Sequence, residues 1–391
     1  MKRSRIDAFL MEQEGLHVIT RESVETMQLR RLNDLLARER ARGGFYRDLP
    51  EKLDSLSELP SLPFTTDEEL AHNAPGLLLR SQAEISRVLS DATSGTTGAA
   101  KRVFYTQRDC ENTVRLFMAG LGELIFPGSV TMILFPFSGS NGLGELIAEA
   151  VTRLGAKPLR LGTALSYGEY AAVLEREKPD TFVGMPVQLL SLLRVCGRGS
   201  LRRALVSGDA CAEAVIEGCE QILGSRLFPH YGSREMALGG AICCGAHAGM
   251  HLRENHVIAE IVDEEGYPLP PGERGELVIT TIGMEAMPLI RYRTGDYTRI
   301  LPGACPCGSE VIRLDTVSRA GGEELSALDE ALFSLPFVAD YTAEKRGGEL
   351  SVTALCTADG EISLPGVKIK KRRVQPTDHA LYPGKRKLEI V

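Results

Sequence analysis

The sequence lacks an uninterrupted apolar run. Its most apolar stretch, residues 116–137, is broken by Glu123, Pro127 and several glycines, which excludes a membrane-spanning helix of about 20 apolar residues. Lys2, Arg3 and Arg5 are followed by no apolar core, so no secretory leader is expected. An excess of positive charge is also missing. A net charge of -7 argues against general attraction to nucleic acid or anionic lipid. The nine cysteines are an odd number without an export signal, and they read as reduced thiols or metal ligands rather than a disulfide framework. Internal repeats and low-complexity tracts are absent. What remains is 391 residues with 43% hydrophobic and 25% charged content, ordinary for a soluble, cytoplasmic globular protein of two or three domains.

The periodicity predicts an α/β protein. Leu29, Leu32 and Leu36 mark a helix that ends at Gly43-Gly44. Short apolar strands at 132–135, 159–161, 182–183 and 204–206 alternate with helices at 143–154, 170–177, 187–195 and 212–223, the signature of βαβ units and a mostly parallel sheet. From about residue 256 the pattern turns to strands separated by turns such as Pro270-Pro271-Gly272, a β-rich subdomain. A helix at 323–334 and strands at 338–341 and 349–356 read as a small α+β tail.

Several clusters point to chemistry. Residues 93–101, Thr-Ser-Gly-Thr-Thr-Gly-Ala-Ala-Lys, interleave hydroxyls with Gly95 and Gly98 and close on Lys101. Glycines let backbone N–H groups approach an anion, hydroxyls donate to its oxygens and lysine adds charge. The spacing is not that of a Walker loop; a plain Ser/Thr/Gly surface loop is the simpler alternative. Tyr231-Gly232-Ser233-Arg234-Glu235 follows an expected strand at 226–228, and so lies where α/β sheets place ligands. A tyrosine there can stack on a base and a glutamate can hold magnesium. In residues 288–296, Pro-Leu-Ile-Arg-Tyr-Arg-Thr-Gly-Asp, Asp296 in a Thr-Gly-Asp turn could accept from ribose hydroxyls. An exposed strand end and an ordinary Asp turn are the bland readings of these two clusters. Gly384-Lys385 lies in a basic carboxyl-terminal run.

In this order the pieces resemble the adenylate-forming (AMP-dependent synthetase/ligase) superfamily, and phenylacetate-CoA ligases within it. The residues that carry the resemblance are Ser94-Gly95-Thr96-Thr97-Gly98, Tyr231-Gly232 with Glu235, 272–278 (Gly-Glu-Arg-Gly-Glu-Leu-Val), and above all 285–296. Residues 62–66 and 45–47 also match the family's amino-terminal region. The resemblance implies a large adenylate-forming ATP- and acyl-binding domain over 1–314 and a small, shortened, mobile α+β domain over 315–391. It also implies ATP-dependent activation of a carboxylic acid as an acyl-adenylate, followed by transfer to coenzyme A. Ser94, Thr96, Thr97 and Lys101 would then grip the β- and γ-phosphates, with Gly95 and Gly98 shaping the loop, and Glu235 would anchor Mg2+. Tyr231, with Gly232 and Ser233, would lie against adenine near Ser207-Gly208-Asp209, Asp296 would take the ribose, and Arg313 and Asp315 would mark the hinge. Lys385 would bridge the carboxylate and the α-phosphate. The partner is a small-molecule carboxylic acid; Phe135, Phe137, Ser138, Gly139 and Met185 are the pocket candidates, and a homodimer is allowed by the resemblance but not fixed by the sequence.

The chain departs from the family pattern at Arg234, where a hydroxyl is usual, at Ala100, where proline is common, and in a short segment between Asp315 and Lys385. These departures keep two other readings open: an adenylyltransferase that stops at the AMP adduct, and a nucleotide-binding protein without turnover. Cys244, His251, Cys305 and Cys307 make a Cys3His set suited to structural tetrahedral zinc, with Cys243, His247 or His256 as substitutes. The other cysteines read as core residues. Lys368, Lys370, Lys371, Arg372 and Arg373 read as a solvated strand face, with a contact to the phosphates of coenzyme A as the alternative.

Overall fold

The structure, a computed structural model, describes residues 4–90, 101–380 and 385–390. Ser94 to Gly98 lie outside the described residues. Contacts divide the chain into two compact units, residues 1–123 with 230–317, and residues 124–229 with 318–391.

The second unit is built on the expected parallel sheet. Its strands run in the order Lys157–Arg160, Val130–Ile133, Thr181–Gly184, Arg203–Val206, and then Phe228 and Pro229. The helices Leu143–Arg153, Tyr167–Glu177, Pro186–Cys196 and Glu213–Leu223 connect them. The inner strands Val130–Ile133, Thr181–Gly184 and Arg203–Val206 are short and almost wholly buried, as parallel strands flanked by helices must be, while the edge strand Lys157–Arg160 is largely exposed. Leu134 and Phe135, expected in the first strand, follow its end at Ile133 and lead into Pro136, which cannot donate to a ladder. The tail belongs to this unit. Helix Glu323–Phe333 and strands Val338–Arg346 and Glu349–Cys356 contribute Leu332, Phe333, Tyr341 and Val352 to the same core as Met132, Phe182, Leu189 and Cys219. Arg194 stitches the tail to this core by donating to the carbonyls of Phe333 at 2.7 Å and Leu335 at 3.0 Å. The basic run occupies the edge strand Val367–Arg373, where Lys368 pairs with Glu349 and Arg372 with Asp378.

In the first unit, helix Arg21–Arg42 ends on Gly43 at φ +67, a left-handed cap that glycine adopts without strain. Strands Ile85–Ser90 and Arg102–Thr106 pair antiparallel, and residues 91–101 link them. Helix Gln107–Leu121 follows, with Cys110, Val114, Phe117 and Leu121 buried on one face. The β-rich region holds an antiparallel sheet of Ile258–Val262, Gly275–Thr280 and Tyr292–Thr298. A second antiparallel sheet runs from His230 and Tyr231 through Ala241–Cys243, Met250–Leu252 and Arg313–Leu314 to Ile300–Leu301. Among the described residues no helix is long and apolar enough to cross a membrane.

Candidate active site

Tyr231 is the last residue of strand Phe228–Tyr231, which starts two residues later than the sequence suggests. A one-turn 3-10 helix, Arg234–Met236, follows at once and buries Glu235 to 7% exposure. The turn closes through two successive non-glycine residues in the left-handed region, Ala237 at φ +55 and Leu238 at φ +65. Each costs roughly 1–2 kcal/mol, and local bonds hold them: Leu238 N–H donates to the Ser233 carbonyl at 2.8 Å, and Thr113 Oγ1 to the Ala237 carbonyl at 2.7 Å. Gly232 is required sterically, because a β-carbon there would lie 2.5 Å from the Leu238 carbonyl oxygen. Tyr105 also secures the turn, its hydroxyl donating to the Arg234 carbonyl at 2.7 Å.

Lys101 Nζ reaches this turn. It donates to Glu235 Oε1 at 3.3 Å, to both Asp67 oxygens at 3.0 and 3.1 Å, and to the Tyr292 hydroxyl at 3.2 Å. Tyr292 also donates to Asp67. Burial works against the ammonium, yet Glu235 and then Asp67 carry the Lys101 pKa above the ordinary lysine value, so it is a permanent cation among oxygen acceptors that an anionic ligand could replace. Tyr231 donates to Asp296 Oδ2 at 2.8 Å. Burial and the Asp296 charge hold the Tyr231 phenol protonated well above its usual range. Asp296 sits in a bulge within strand Tyr292–Thr298 rather than in the expected turn. Gly295 is at φ +68 with its N–H on Glu276 Oε1 at 3.1 Å, and the ladder shifts register between Glu276 and Val278; such bulges re-aim a side chain at the edge of a site.

The rest of the 285–296 string is scaffold. Asp109 accepts from the N–H groups of Glu285 at 2.8 Å and Ala286 at 3.1 Å. Arg291 pairs with Glu260 at 3.0 Å, donates to the Leu62 carbonyl at 2.6 Å and stacks 4.0 Å from the Phe64 ring centroid. Arg293 donates to Glu276 at 2.8 Å. The matches at 62–66, 272–278 and 285–296 are therefore pieces of one ion-paired framework that places Tyr292 and Asp296.

In the second unit Ser207, Gly208 and Asp209 follow strand Arg203–Val206. A β-carbon on Gly208, at φ +89, would lie 3.2 Å from Phe135 and 3.4 Å from Met185, so two of the pocket candidates meet this segment. Phe137 lines an open cleft with Arg160 and Thr163. Lys385 is exposed and follows the same unit's carboxyl-terminal course. Arg313, read from the resemblance as part of the hinge, turns its guanidinium to the carbonyls of Ala248, Gly303 and Pro302, at 2.5, 3.0 and 3.2 Å.

Those carbonyls frame the cysteine cluster. The ligand atoms of Cys244, His251, Cys305 and Cys307 all lie within 4.8 Å of one another. Cys244 Sγ is 3.8 Å from Cys305 Sγ, and Cys307 Sγ is 3.6 Å from His251 Nε2. A tetrahedral zinc with Zn–S of about 2.3 Å and Zn–N of about 2.0–2.1 Å requires edges of about 3.8 and 3.5 Å, so the donor set fits; a disulfide, at about 2.05 Å, does not. Cys243 pairs separately with His247 at 3.8 Å. The five other cysteines are buried or half-buried.

Sequence reasoning missed Asp67, Tyr292 and Tyr105. Thr66 and Glu69 form a capping box that the Ser/Thr-x-x-Glu pattern signals, but nothing in the local sequence ties its Asp67 to Lys101.

Fold and site define a mixed α/β protein equipped for a nucleotide, and the chain belongs to the AMP-binding enzyme family, which matches residues 91–286, half of its length. It is 28% identical to the phenylacetate-coenzyme A ligase of Thermus thermophilus over 95% of this chain and 90% of that one. With the phenylacetate-coenzyme A ligase of Escherichia coli it shares 32% identity over 69% of this chain and 63% of that one. A crystal structure of 2-hydroxyisobutyryl-CoA ligase with 2-HIB-AMP shares the fold, with a TM-score of 0.77 over 95% of this chain and 90% of that one at 17% identity. The resemblance carried by the motifs and the expected α/β fold are both borne out.

Proposed function

We propose that this protein is an AMP-forming acid-thiol ligase. It joins a carboxylic acid to ATP, releasing pyrophosphate, and then passes the acyl group to the thiol of coenzyme A, releasing AMP. In the first step a carboxylate oxygen bonds to the α-phosphorus as the bond to pyrophosphate breaks; in the second the thiol sulfur bonds to the acyl carbon and AMP leaves. Bringing two anions together needs cations and protein donors aimed at phosphate oxygens. The observation that carries the reading is the grouping of Lys101, Glu235, Asp67 and Tyr292 in the same unit as the Tyr231–Asp296 pair. Lys101 and the 94–98 loop are assigned to the β- and γ-phosphates, Glu235 to Mg2+, Tyr231 and the Ser207–Asp209 segment to adenine, Asp296 to the ribose and Lys385 to the reacting groups. Magnesium, when bound, supplies charge neutralisation for the triphosphate. Motion of the 315–391 segment between the two steps belongs to the same proposal. Zinc in the Cys244, His251, Cys305 and Cys307 set is structural, since four protein donors leave no open position.

A panel of aromatic, aliphatic and dicarboxylic acids, phenylacetate first, tests the reading by acid-dependent exchange of pyrophosphate into ATP and by AMP release on adding coenzyme A. Exchange without CoA-dependent release identifies an adenylyltransferase; no exchange with any acid overturns the enzymatic reading.

Asp67 supplies a sharper expectation. It competes with phosphate for Lys101, and because its side chain is 53% exposed the pair is worth at most about 1 kcal/mol. Asp67→Asn is therefore expected to lower the KM for MgATP by about three- to fivefold with kcat little changed. A raised KM in steady-state kinetics contradicts this role.

A further inference from the structure

Residues 385–388 lead into the short strand Glu389–Ile390, and exposure alternates along them as in an extended chain: Lys385, Lys387 and Glu389 face outward, while Arg386 is buried and Leu388 half-buried. Successive side chains of an extended chain point to opposite sides, so whatever buries Arg386 also decides that Lys385 faces out. The Arg386 side chain is 4% exposed and forms an ion pair with Asp329 of helix Glu323–Phe333. Its guanidinium carbon lies 4.4 Å from the Tyr341 ring centroid and 5.1 Å from that of Phe333. The Tyr341 hydroxyl donates to the same Asp329 oxygen at 2.5 Å. The backbone adds a further anchor: Arg386 N–H donates to Asp209 Oδ2 at 3.0 Å, while the other Asp209 oxygen accepts from Ala210 N–H at 3.0 Å. Asp209 belongs to the Ser207–Asp209 segment assigned to adenine, and it feels the charge of both Arg386 and Lys385.

We propose that Arg386 is the positioning residue of Lys385: its docking on Asp329, Tyr341 and Asp209 locks the register of the carboxyl-terminal segment and holds Lys385 outward beside the Ser207–Asp209 segment. The inference rests on reading Lys385 as the lysine that serves acyl-adenylate formation. A planar guanidinium suits the place because it pairs with a carboxylate while stacking on aromatic faces, which an ammonium does less well. A slip of one residue would turn Lys385 inward and Arg386 outward.

The test separates the two half-reactions in the full-length enzyme, with phenylacetate as the probe acid and synthetic phenylacetyl-adenylate for the second step. Arg386→Gln is expected to lower pyrophosphate exchange by about 10- to 100-fold, the scale of small misplacements of a catalytic group, and Arg386→Lys by less. The Kd for MgATP and the rate of thioester formation from the preformed adenylate should stay within about threefold of wild type. In a Lys385→Ala background Arg386→Gln should cost nothing more, because the group it positions is gone. Trypsin should cut after residue 385 in Arg386→Gln but slowly at 385–387 in wild type. Exchange within twofold of wild type in Arg386→Gln, or equal losses in both half-reactions and in ATP affinity, overturns the proposal. Wild-type protein that exchanges with none of the acids instead overturns the reading of Lys385, and wild-type and Arg386→Gln proteins cut at the same rate then overturn the docking as well.

Discussion

Lys385→Ala is expected to abolish acid-dependent pyrophosphate exchange, with a loss of at least about 100- to 1,000-fold, while the Kd for MgATP changes by less than threefold. The asymmetry follows from where the residues lie. Lys101, Glu235, Tyr231 and Asp296 are held together in the unit formed by residues 1–123 and 230–317, and they are the groups assigned to the triphosphate, the metal, the base and the ribose. Lys385 is assigned to the charge that develops between the attacking carboxylate and the α-phosphorus. A group used only in the transition state lowers the rate when removed and leaves ground-state binding in place, and deleting one such electrostatic donor costs about 10²–10³ in kcat. Exchange assays paired with titration calorimetry decide it. Normal exchange in the variant refutes the role, and equal losses in exchange and affinity make Lys385 a binding residue instead.

The second large effect concerns the metal cluster. Wild-type protein purified without chelator is expected to carry about one equivalent of zinc, and Cys305→Ser less than a tenth of that. Cys305 is buried, and its loop is joined to strand Arg313–Leu314, the partner of Met250–Leu252, by the Arg313 guanidinium on the carbonyls of Pro302 and Gly303. Losing a structural metal is among the few changes that cost several kcal/mol. A loss of about 3 kcal/mol corresponds to a drop of about 6–12 °C in Tm for a unit of this size. Cys110→Ala, which removes a buried thiol from helix Gln107–Leu121, should leave the zinc content unchanged. Less than a tenth of an equivalent in the wild type ends the proposal; a wild-type Tm that does not respond to chelation shows that the metal does not stabilise the fold.

Local rules were enough for the elements whose signals are local. Gly43 stops helix Arg21–Arg42, Pro186 opens helix Pro186–Cys196, and the buried runs at 181–184 and 203–206 are strands because helices cover them. The Cys244, His251, Cys305 and Cys307 cluster was legible because soft ligands are rare and come here as two short sequence pairs, 244/251 and 305/307. Helix Gln107–Leu121 carries apolar residues at helical spacing, but its last turn merges with the long apolar stretch to residue 137 and hides the boundary. What stayed hidden depends on contacts between distant positions. Lys101 meets Asp67 across 34 residues, and Asp67 meets Tyr292 across 225; such pairings are set by the assembled fold, so a lysine that reads as a phosphate ligand proves to be held by two carboxylates. The partners of Arg313 were hidden for the same reason, since only the folded loop offers it the carbonyls of Ala248, Pro302 and Gly303.

The division of the chain has a consequence for biosynthesis. Each unit is interrupted by the other: residues 124–229 come between the two parts of the first, and 230–317 between the two parts of the second. A ribosome that has released residue 229 has completed neither, and cutting the gene anywhere leaves a fragment with an unfinished core. Folding one domain at a time from the amino end, the usual course for a long nascent chain, is closed to this protein until residue 317 has emerged, so its early segments need shelter from aggregation for most of translation.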